Sequence, residues 1–276
     1  MARNTTTRIA LASVATLATG ALAGTAAADL IEIADQNSSV QVDTSSSAGA
    51  YEWLVDGTNQ LAQQWFWYRI GNTGGESSID SLDQVGIAVT DTNPFSDDRD
   101  DTLSVLYRGN GLEIEISYRL RGGNFGSDES GLSEQVTVRN TTLSALDIRF
   151  FQYSDFELGD TANDDTVEIV APNTARQTDG SGLSVVESVV TPVASRFEAG
   201  DAAGLLSRLM DGNPTTLTNE AGPSTGDVGW GFQWNRTLAA GESFIINKDK
   251  SIRVPGPAGL AALAVFGLAA RRRRRD

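Results

Sequence analysis

The chain of 276 residues contains no cysteine and no histidine. These absences exclude zinc sites of the Cys/His type, cysteine nucleophiles, Ser-His-Asp triads and haem ligation through either side chain. They also exclude disulfides, so the core alone must stabilise the fold. A body of about 225 residues is large enough to bury such a core in one domain.

Basic residues are also scarce in the body of the chain. The whole chain has 21 basic and 36 acidic residues, and seven of the arginines and Asp276 lie in the two terminal segments described below. Residues 29–253 therefore keep 14 basic and 35 acidic side chains, a formal net charge of −21, and Lys248 and Lys250 are the lysines. Such a surface repels nucleic acid and anionic lipid, and it suits divalent cations or a salty medium.

The first 28 residues have the pattern of a secretory signal peptide. Arg3 and Arg8 form a basic start, residues 9–23 are apolar, and a run of alanines ends at Ala28 before Asp29. This pattern predicts engagement of the secretion machinery, cleavage between Ala28 and Asp29, and export.

Residues 254–276 form a second targeting segment, with a Pro/Gly motif, an apolar stretch and an arginine block. The motif is Val254, Pro255, Gly256 and Pro257, and the basic tail is Arg271, Arg272, Arg273, Arg274 and Arg275. The apolar stretch ends at Ala270 and is roughly 15 residues long, below the ~20 that span a bilayer comfortably. The arginines are expected to stay on the cytoplasmic side, with the body facing outward.

This terminal segment resembles the PEP-CTERM family of bacterial sorting signals, with Gly256 standing where the name-giving motif has Glu. The resemblance implies a short transmembrane helix before processing and removal of the tail by an exosortase-like membrane protease. It also implies a place in the cell envelope, at the cell surface or in the extracellular matrix, and an association with secreted polysaccharide. The alternative is a plain C-terminal tail anchor, which also places the body at the cell surface.

Residues 29–253 have a strand pattern almost throughout. In 112–121, apolar residues alternate with charged or polar ones, which is typical of a strand with one solvated face. Strands 135–140 and 146–150 are predicted to form an antiparallel hairpin, the Ser-rich stretch 38–50 a loop, and 201–210 the one helix. Further strands are predicted near 51–55, 64–71, 83–90, 102–108, 165–170, 182–190, 228–235 and 242–252. The pattern predicts a single all-β domain, an antiparallel β-sandwich or jelly roll with one short helix.

Two groups of aromatic residues recur at strand spacing. Trp65 and Trp67 are predicted to share one face of a strand, and Trp230 and Trp234 line up with Phe232 on another. Exposed ladders of this kind stack sugar rings in carbohydrate-binding modules. The alternative is that the rings bury apolar area in the core.

Acidic residues cluster at 97–101 and 160–165. Carboxylate oxygens are the ligands that calcium takes, and Asp160 and Asp165 are the better candidates because they flank a turn between predicted strands. Neither cluster has the spacing of an EF-hand loop. The alternative is a solvated acidic turn.

Asp155 and Glu157 are the candidates for catalysis. Their spacing of two predicts carboxylates on the same side of a strand, and glycoside hydrolysis needs two such groups about 5 Å apart or further. The alternative is a chance pair in an acidic chain.

Together these features favour an exported, surface-sorted, non-enzymatic protein of the bacterial envelope or the polysaccharide matrix. Two alternatives remain open: a carbohydrate-binding module that uses the aromatic ladders, and a glycan hydrolase that uses the carboxylate pair.

Overall fold

The computed structural model describes residues 30–253, which form eighteen β-strands, one α-helix and one 3₁₀ turn. The strands are β1 (Leu30–Asp35), β2 (Ser38–Asp43), β3 (Gly49–Val55), β4 (Thr58–Asn59), β5 (Leu61–Ile70), β6 (Ser77–Ser78), β7 (Asp83–Thr90), β8 (Thr102–Gly109), β9 (Leu112–Gly122), β10 (Glu129–Asn140), β11 (Leu146–Phe156), β12 (Asp165–Ala171), β13 (Thr174–Thr178), β14 (Ser184–Thr191), β15 (Arg196–Asp201), β16 (Ser224–Gly226), β17 (Val228–Leu238) and β18 (Ser243–Arg253). The 3₁₀ turn is Ile79–Ser81, and the helix α1 is Ala202–Met210.

The strands build two sheets of nine. Sheet A has the order β1-β2-β3-β5-β11-β17-β15, with β4 on β3 and β6 on β5, and sheet B has the order β16-β12-β13-β14-β18-β10-β9-β8-β7. Pairing is antiparallel except between β3 and β5. The buried side chains of both sheets form one core. The predicted antiparallel β-sandwich with one short helix is confirmed.

Strand β9 shows why these residues form a two-faced sheet. Its apolar residues Leu112, Ile114, Ile116, Tyr118 and Leu120 are at most 1% exposed. The residues between them are polar and point to the opposite side, because successive side chains of a strand alternate between faces. Strands β10 and β18 follow the same period, so the outer face of β9, β10 and β18 is largely polar, with Ile245 as an exposed apolar residue.

Helix α1 confirms the helix predicted over 201–210. The Asp201 side chain caps its first turn by accepting a hydrogen bond from the Gly204 amide at 2.6 Å. Leu205 and Leu209 are buried, one helical turn apart. They pack on the outer face of sheet A.

Two local predictions are wrong. Strands β10 and β11 do not pair with each other, since β10 lies in sheet B between β9 and β18, whereas β11 lies in sheet A between β5 and β17. The five residues 141–145 therefore cross between the sheets instead of closing a hairpin. The stretch 38–50 is not a loop either, because β2 and the start of β3 occupy most of it.

A buried cluster of charges joins the two sheets. Lys248 Nζ lies 2.6 Å from Glu134 Oε2 and donates to Gln152 Oε1 at 2.7 Å, and Lys250 pairs with Glu134. Glu187 accepts a hydrogen bond from Gln152 at 2.7 Å. Burial alone would raise the pKa of Glu134, but the two ammonium groups outweigh it and hold that pKa below its usual value. Two positive and two negative charges thus balance under the middle of sheet B.

Candidate functional site

The outer face of sheet A is closed at its centre. Glycine at 231 lets two leucines approach the strand, since a Cβ there would lie 3.4 Å from both Leu205 and Leu217. The Tyr153 hydroxyl donates to the Ala202 carbonyl of α1 at 3.1 Å. Helix α1 and the chain that follows it therefore cover β11 and β17.

The outer face of sheet B is open at its centre. Strands β9, β10 and β18 lie side by side there, and their outward residues fall into register as rows. The three rows are Arg121–Gly131–Ser251, Arg119–Ser133–Asp249 and Ser117–Gln135–Asn247. The side chains of Ser117, Arg119, Arg121, Ser133, Gln135, Asn247 and Asp249 are called the polar strip below.

Two adjoining depressions follow the polar strip. One, of about 280 Å³, is lined by Arg119, Arg121, Gly131, Ser133 and Asp249. The second, of about 220 Å³, shares Arg119, Ser133 and Asp249 with the first. From strand spacing and rise, the strip is about 10 Å across and about 14 Å long.

Hydrogen bonds between neighbouring strands orient the middle of the strip. Ser133 Oγ donates to Asp249 Oδ1 at 2.7 Å, and Gln135 Nε2 donates to Asn247 Oδ1 at 2.9 Å. The Asp249 Oδ2 and the Asn247 amide nitrogen keep capacity for a ligand. The strip thus presents both donors and acceptors from a rigid three-stranded floor.

No motif in the sequence marks the polar strip. Alternation placed Arg119 and Gln135 on a solvated face, which was the available signal. Alternation could not predict which strand lies on the other side of β10, because Asp249 on β18 is 116 residues from its partner Ser133 in sequence.

A larger cleft of about 380 Å³ lies at one end of the sandwich and is lined in part by Asp128, Asp164 and Asp179. Asp179 accepts hydrogen bonds from the Ser181 hydroxyl at 2.9 Å and the Leu183 amide at 2.8 Å. Asp164 accepts from a threonine hydroxyl of its own loop at 2.8 Å. These carboxylates stabilise the turns that carry them.

The two candidate calcium ligands, Asp160 and Asp165, lie in different environments. Asp160 is exposed in a turn, whereas Asp165 is 1% exposed and accepts hydrogen bonds from Gln177 at 2.5 Å and from the Leu158 amide at 3.2 Å. Burial raises the pKa of Asp165 to about 6. Within residues 30–253, no group of three or more acidic side chains is arranged to hold a metal ion.

The candidate catalytic carboxylates lie apart from the polar strip. Asp155 is near the end of β11 and accepts a hydrogen bond from the Tyr153 hydroxyl at 3.1 Å, and Glu157 follows the strand. Burial raises the pKa of Asp155 to about 7, and the nearby Asp227 and Glu157 carboxylates add to this rise. Neither candidate lines the end cleft or the two depressions.

The proposed aromatic ladders are core, which corrects their assignment to ligand binding. Trp65, Trp67, Trp230 and Trp234 are each at most 1% exposed. Trp230 stacks on Phe156 with ring centroids 5.3 Å apart, and its indole nitrogen donates to a buried glutamate at 2.8 Å. Buried indoles with satisfied nitrogens cannot stack on a sugar from solvent.

The targeting residues lie outside the described residues. They are Ala28, Asp29, Val254, Pro255, Gly256, Pro257 and Arg271 to Arg275. Among residues 30–253, no helix has the length and apolar character needed to cross a membrane.

Comparison with known proteins shows the fold. No protein-family model and no curated protein matches the chain. A bacterial glucoamylase solved with acarbose matches with a TM-score of 0.55 at 7% identity, over 87% of this chain and 36% of the glucoamylase. A galactose mutarotase-like protein from Lactobacillus casei matches with a TM-score of 0.52 at 11% identity, over 81% of this chain and 100% of that protein. The chain thus spans about a third of the glucoamylase and the whole of the mutarotase-like protein.

This likeness contradicts the prediction of a non-enzymatic structural protein of the envelope or matrix. The sandwich is one that a glucoamylase and a galactose mutarotase-like protein also adopt. At these identities the likeness shows the fold alone.

Proposed function

We propose that this protein binds a carbohydrate on the outer face of sheet B, with the polar strip as its binding surface. The observation that carries the proposal is the register of β9, β10 and β18, which gathers hydroxyl, amide, carboxylate and guanidinium groups into two adjoining depressions. Sugars present donors and acceptors at close spacing, so such a mixed surface can pair with several hydroxyls at once. The fold shared with carbohydrate-acting proteins supports the same conclusion.

The strip favours binding over hydrolysis by a carboxylate pair. Glycoside hydrolysis by that route uses two carboxyl groups flanking the scissile bond. The depressions offer Asp249 on their surface, whereas the side chain of Glu134 beneath them is fully buried and paired with Lys248 and Lys250. A single accessible carboxylate can accept a sugar hydroxyl but cannot supply both roles.

The end cleft is larger but less suited to a sugar. Its carboxylates accept hydrogen bonds from their own turns, as Asp179 does from Ser181 and Leu183. The polar strip instead stands on central strands, which hold binding groups in place better than loops do.

The test is a screen of neutral and acidic oligosaccharides against the full chain on a glycan array, followed by titration calorimetry. We expect binding that weakens at least about tenfold in the variant Gln135→Ala/Asn247→Ala, since two hydrogen-bonding side chains are removed. The control is Thr166→Ala, which removes a hydroxyl from a Thr166–Thr225 contact of 3.0 Å elsewhere on sheet B. Equal binding by all three proteins would rule out the polar strip.

A further inference from the structure

Two arginines of the polar strip have no partner within the described chain. The guanidinium groups of Arg119 and Arg121 make no hydrogen bond or ion pair with residues 30–253. Two other exposed arginines of sheet B are paired, Arg108 with Glu113 and Arg176 with Glu168, whereas Arg253 at the end of β18 also lacks a partner among residues 30–253. In a chain where acidic residues outnumber basic ones by 36 to 21, two adjacent free guanidiniums are an unusual concentration of positive charge.

The backbone brings these two charges together. Arg119 and Arg121 are two residues apart on β9, so they project from the same face with Cα atoms about 7 Å apart. Arg121 lies opposite Gly131 in the register, and Gly131 adds no side chain to the floor between β9 and β18. The 280 Å³ depression is therefore open beside both guanidiniums.

A carboxylate faces the arginines from the other side of the same depression. Asp249 lies two strands from Arg119, with Ser133 on the strand between them. Asp249 accepts a hydrogen bond from Ser133. A ligand lying across β10 would thus meet positive charge at one edge and a hydroxyl acceptor at the other. Guanidinium groups bind carboxylate and sulfate through paired, charge-assisted hydrogen bonds.

We infer that the ligand of the polar strip is an anionic saccharide, whose acid group is held by Arg119 and Arg121 while a neighbouring hydroxyl donates to Asp249. This inference rests on the proposed carbohydrate-binding function and adds the class of sugar. Uronates and sulfated sugars share the chemistry that the guanidiniums recognise.

The net negative charge of the body disfavours ligands of high negative charge, but it does not exclude an acid group in direct contact with the two arginines. At physiological salt, charges further apart than about 8 Å are largely screened, whereas groups in direct contact are not. The net charge of −21 over residues 29–253 disfavours a long, densely charged polyanion, so we expect a short acidic oligosaccharide or a polymer with spaced acid groups.

The experiment compares matched saccharides on the full chain by titration calorimetry. Oligogalacturonate, oligoglucuronate and oligomannuronate are each tested beside their carboxyl-reduced forms, which keep the ring and the linkage but lose the charge, and beside sulfated forms of the reduced sugars. The variants are Arg119→Gln, Arg121→Gln and the double variant. Arg176→Gln, which removes an exposed arginine of β13 that pairs with Glu168 on the same sheet, is the control for loss of one positive charge away from the strip. Melting temperatures establish that each variant is folded.

We expect at least one acidic form to bind about tenfold more tightly than its reduced form, as charge-assisted hydrogen bonds provide. The double variant should lose this preference while keeping its affinity for the reduced sugar, and Arg176→Gln should retain both. Preference for the carboxylated series identifies a uronate, and preference for the sulfated series a sugar sulfate. Equal affinity for charged and reduced forms, or a preference that survives the double variant, overturns the inference alone. Absence of binding to every saccharide overturns the proposed function with it.

Discussion

Replacing Asp155 with asparagine should change how folding stability depends on pH. Asp155 Oδ2 accepts a hydrogen bond from the Tyr153 hydroxyl at 3.1 Å, while Oδ1 is buried without a partner among residues 30–253. Burial raises the pKa of this carboxyl from 3.8 to about 7. Asparagine has nearly the same shape and keeps an oxygen that can accept from Tyr153, so the substitution mainly removes the ionisation.

The direction follows from the proton balance. Because the pKa of Asp155 is higher in the folded protein than in the unfolded chain, the folded state binds more protons between pH 4 and pH 7, and stability falls as the pH rises through that window. A rise from 3.8 to about 7 corresponds to an upper bound of about 4 kcal/mol. The measurement starts at pH 5 to stay away from the sequence pI of about 4.4. The interval from pH 5 to about 7 accounts for about 3 kcal/mol of the upper bound. Partial exposure of the side chain reduces the expected effect to about 2 kcal/mol.

The assay is urea unfolding of the full chain at intervals from pH 5 to pH 8. Asp155→Asn should gain stability relative to wild type as the pH rises, by about 2 kcal/mol over the series. Asp165, whose pKa is also raised, is present in both proteins, so the difference reports Asp155 together with its repulsion from the Asp165 carboxylate. Asp98→Asn, which removes an exposed carboxylate, is the control and should track wild type. A difference between Asp155→Asn and wild type that stays constant with pH would refute a buried, protonated Asp155.

Three further predictions concern the interior, the acidic turns and the C-terminus. Lys248→Met leaves a buried cluster with one uncompensated negative charge, and we expect a loss of about 3–5 kcal/mol in urea unfolding; a loss below about 1 kcal/mol would show that the cluster is not desolvated. Millimolar calcium should raise the melting temperature no more than magnesium does, because Asp165 already accepts hydrogen bonds from Gln177 and the Leu158 amide; a calcium-specific rise would restore the metal-site hypothesis. Mass spectrometry of the protein from native cells and medium should find chains ending between residues 255 and 259, whereas an intact end at Asp276 would support the tail-anchor alternative.

The sequence predicted the strands well because their buried residues alternate. Leu112 to Leu120 follow the period of two, and strand β9 extends over that stretch. The pairing of strands was harder to predict. The segment 141–145 is short enough to close a hairpin between β10 and β11, yet it connects the two sheets. Strand β2 was missed because its first inward position is Ser38, a polar residue at 2% exposure, which hides the alternation that Val40 and Val42 continue.

The candidate site was less predictable because it depends on strand order. Local alternation shows that Arg119 faces solvent but not that β18 lies beyond β10 on the same face. The aromatic residues left both alternatives, core and ligand binding, open for a related reason: Trp230 and Trp234 share a face of β17, and only the packing shows that this face points into the sandwich. Periodicity identifies the two faces of a strand, whereas the packing of the whole sandwich decides which face is buried.

The most direct test of the account is chemical-shift mapping of the full chain with the oligosaccharide that binds most tightly in the glycan screen. Binding at the polar strip predicts shifts concentrated in β9, β10 and β18, with the largest at Arg119, Ser133 and Asn247. Shifts concentrated at the end cleft around Thr161 and Asp179, or no shifts with any saccharide, would contradict carbohydrate binding on the outer face of sheet B.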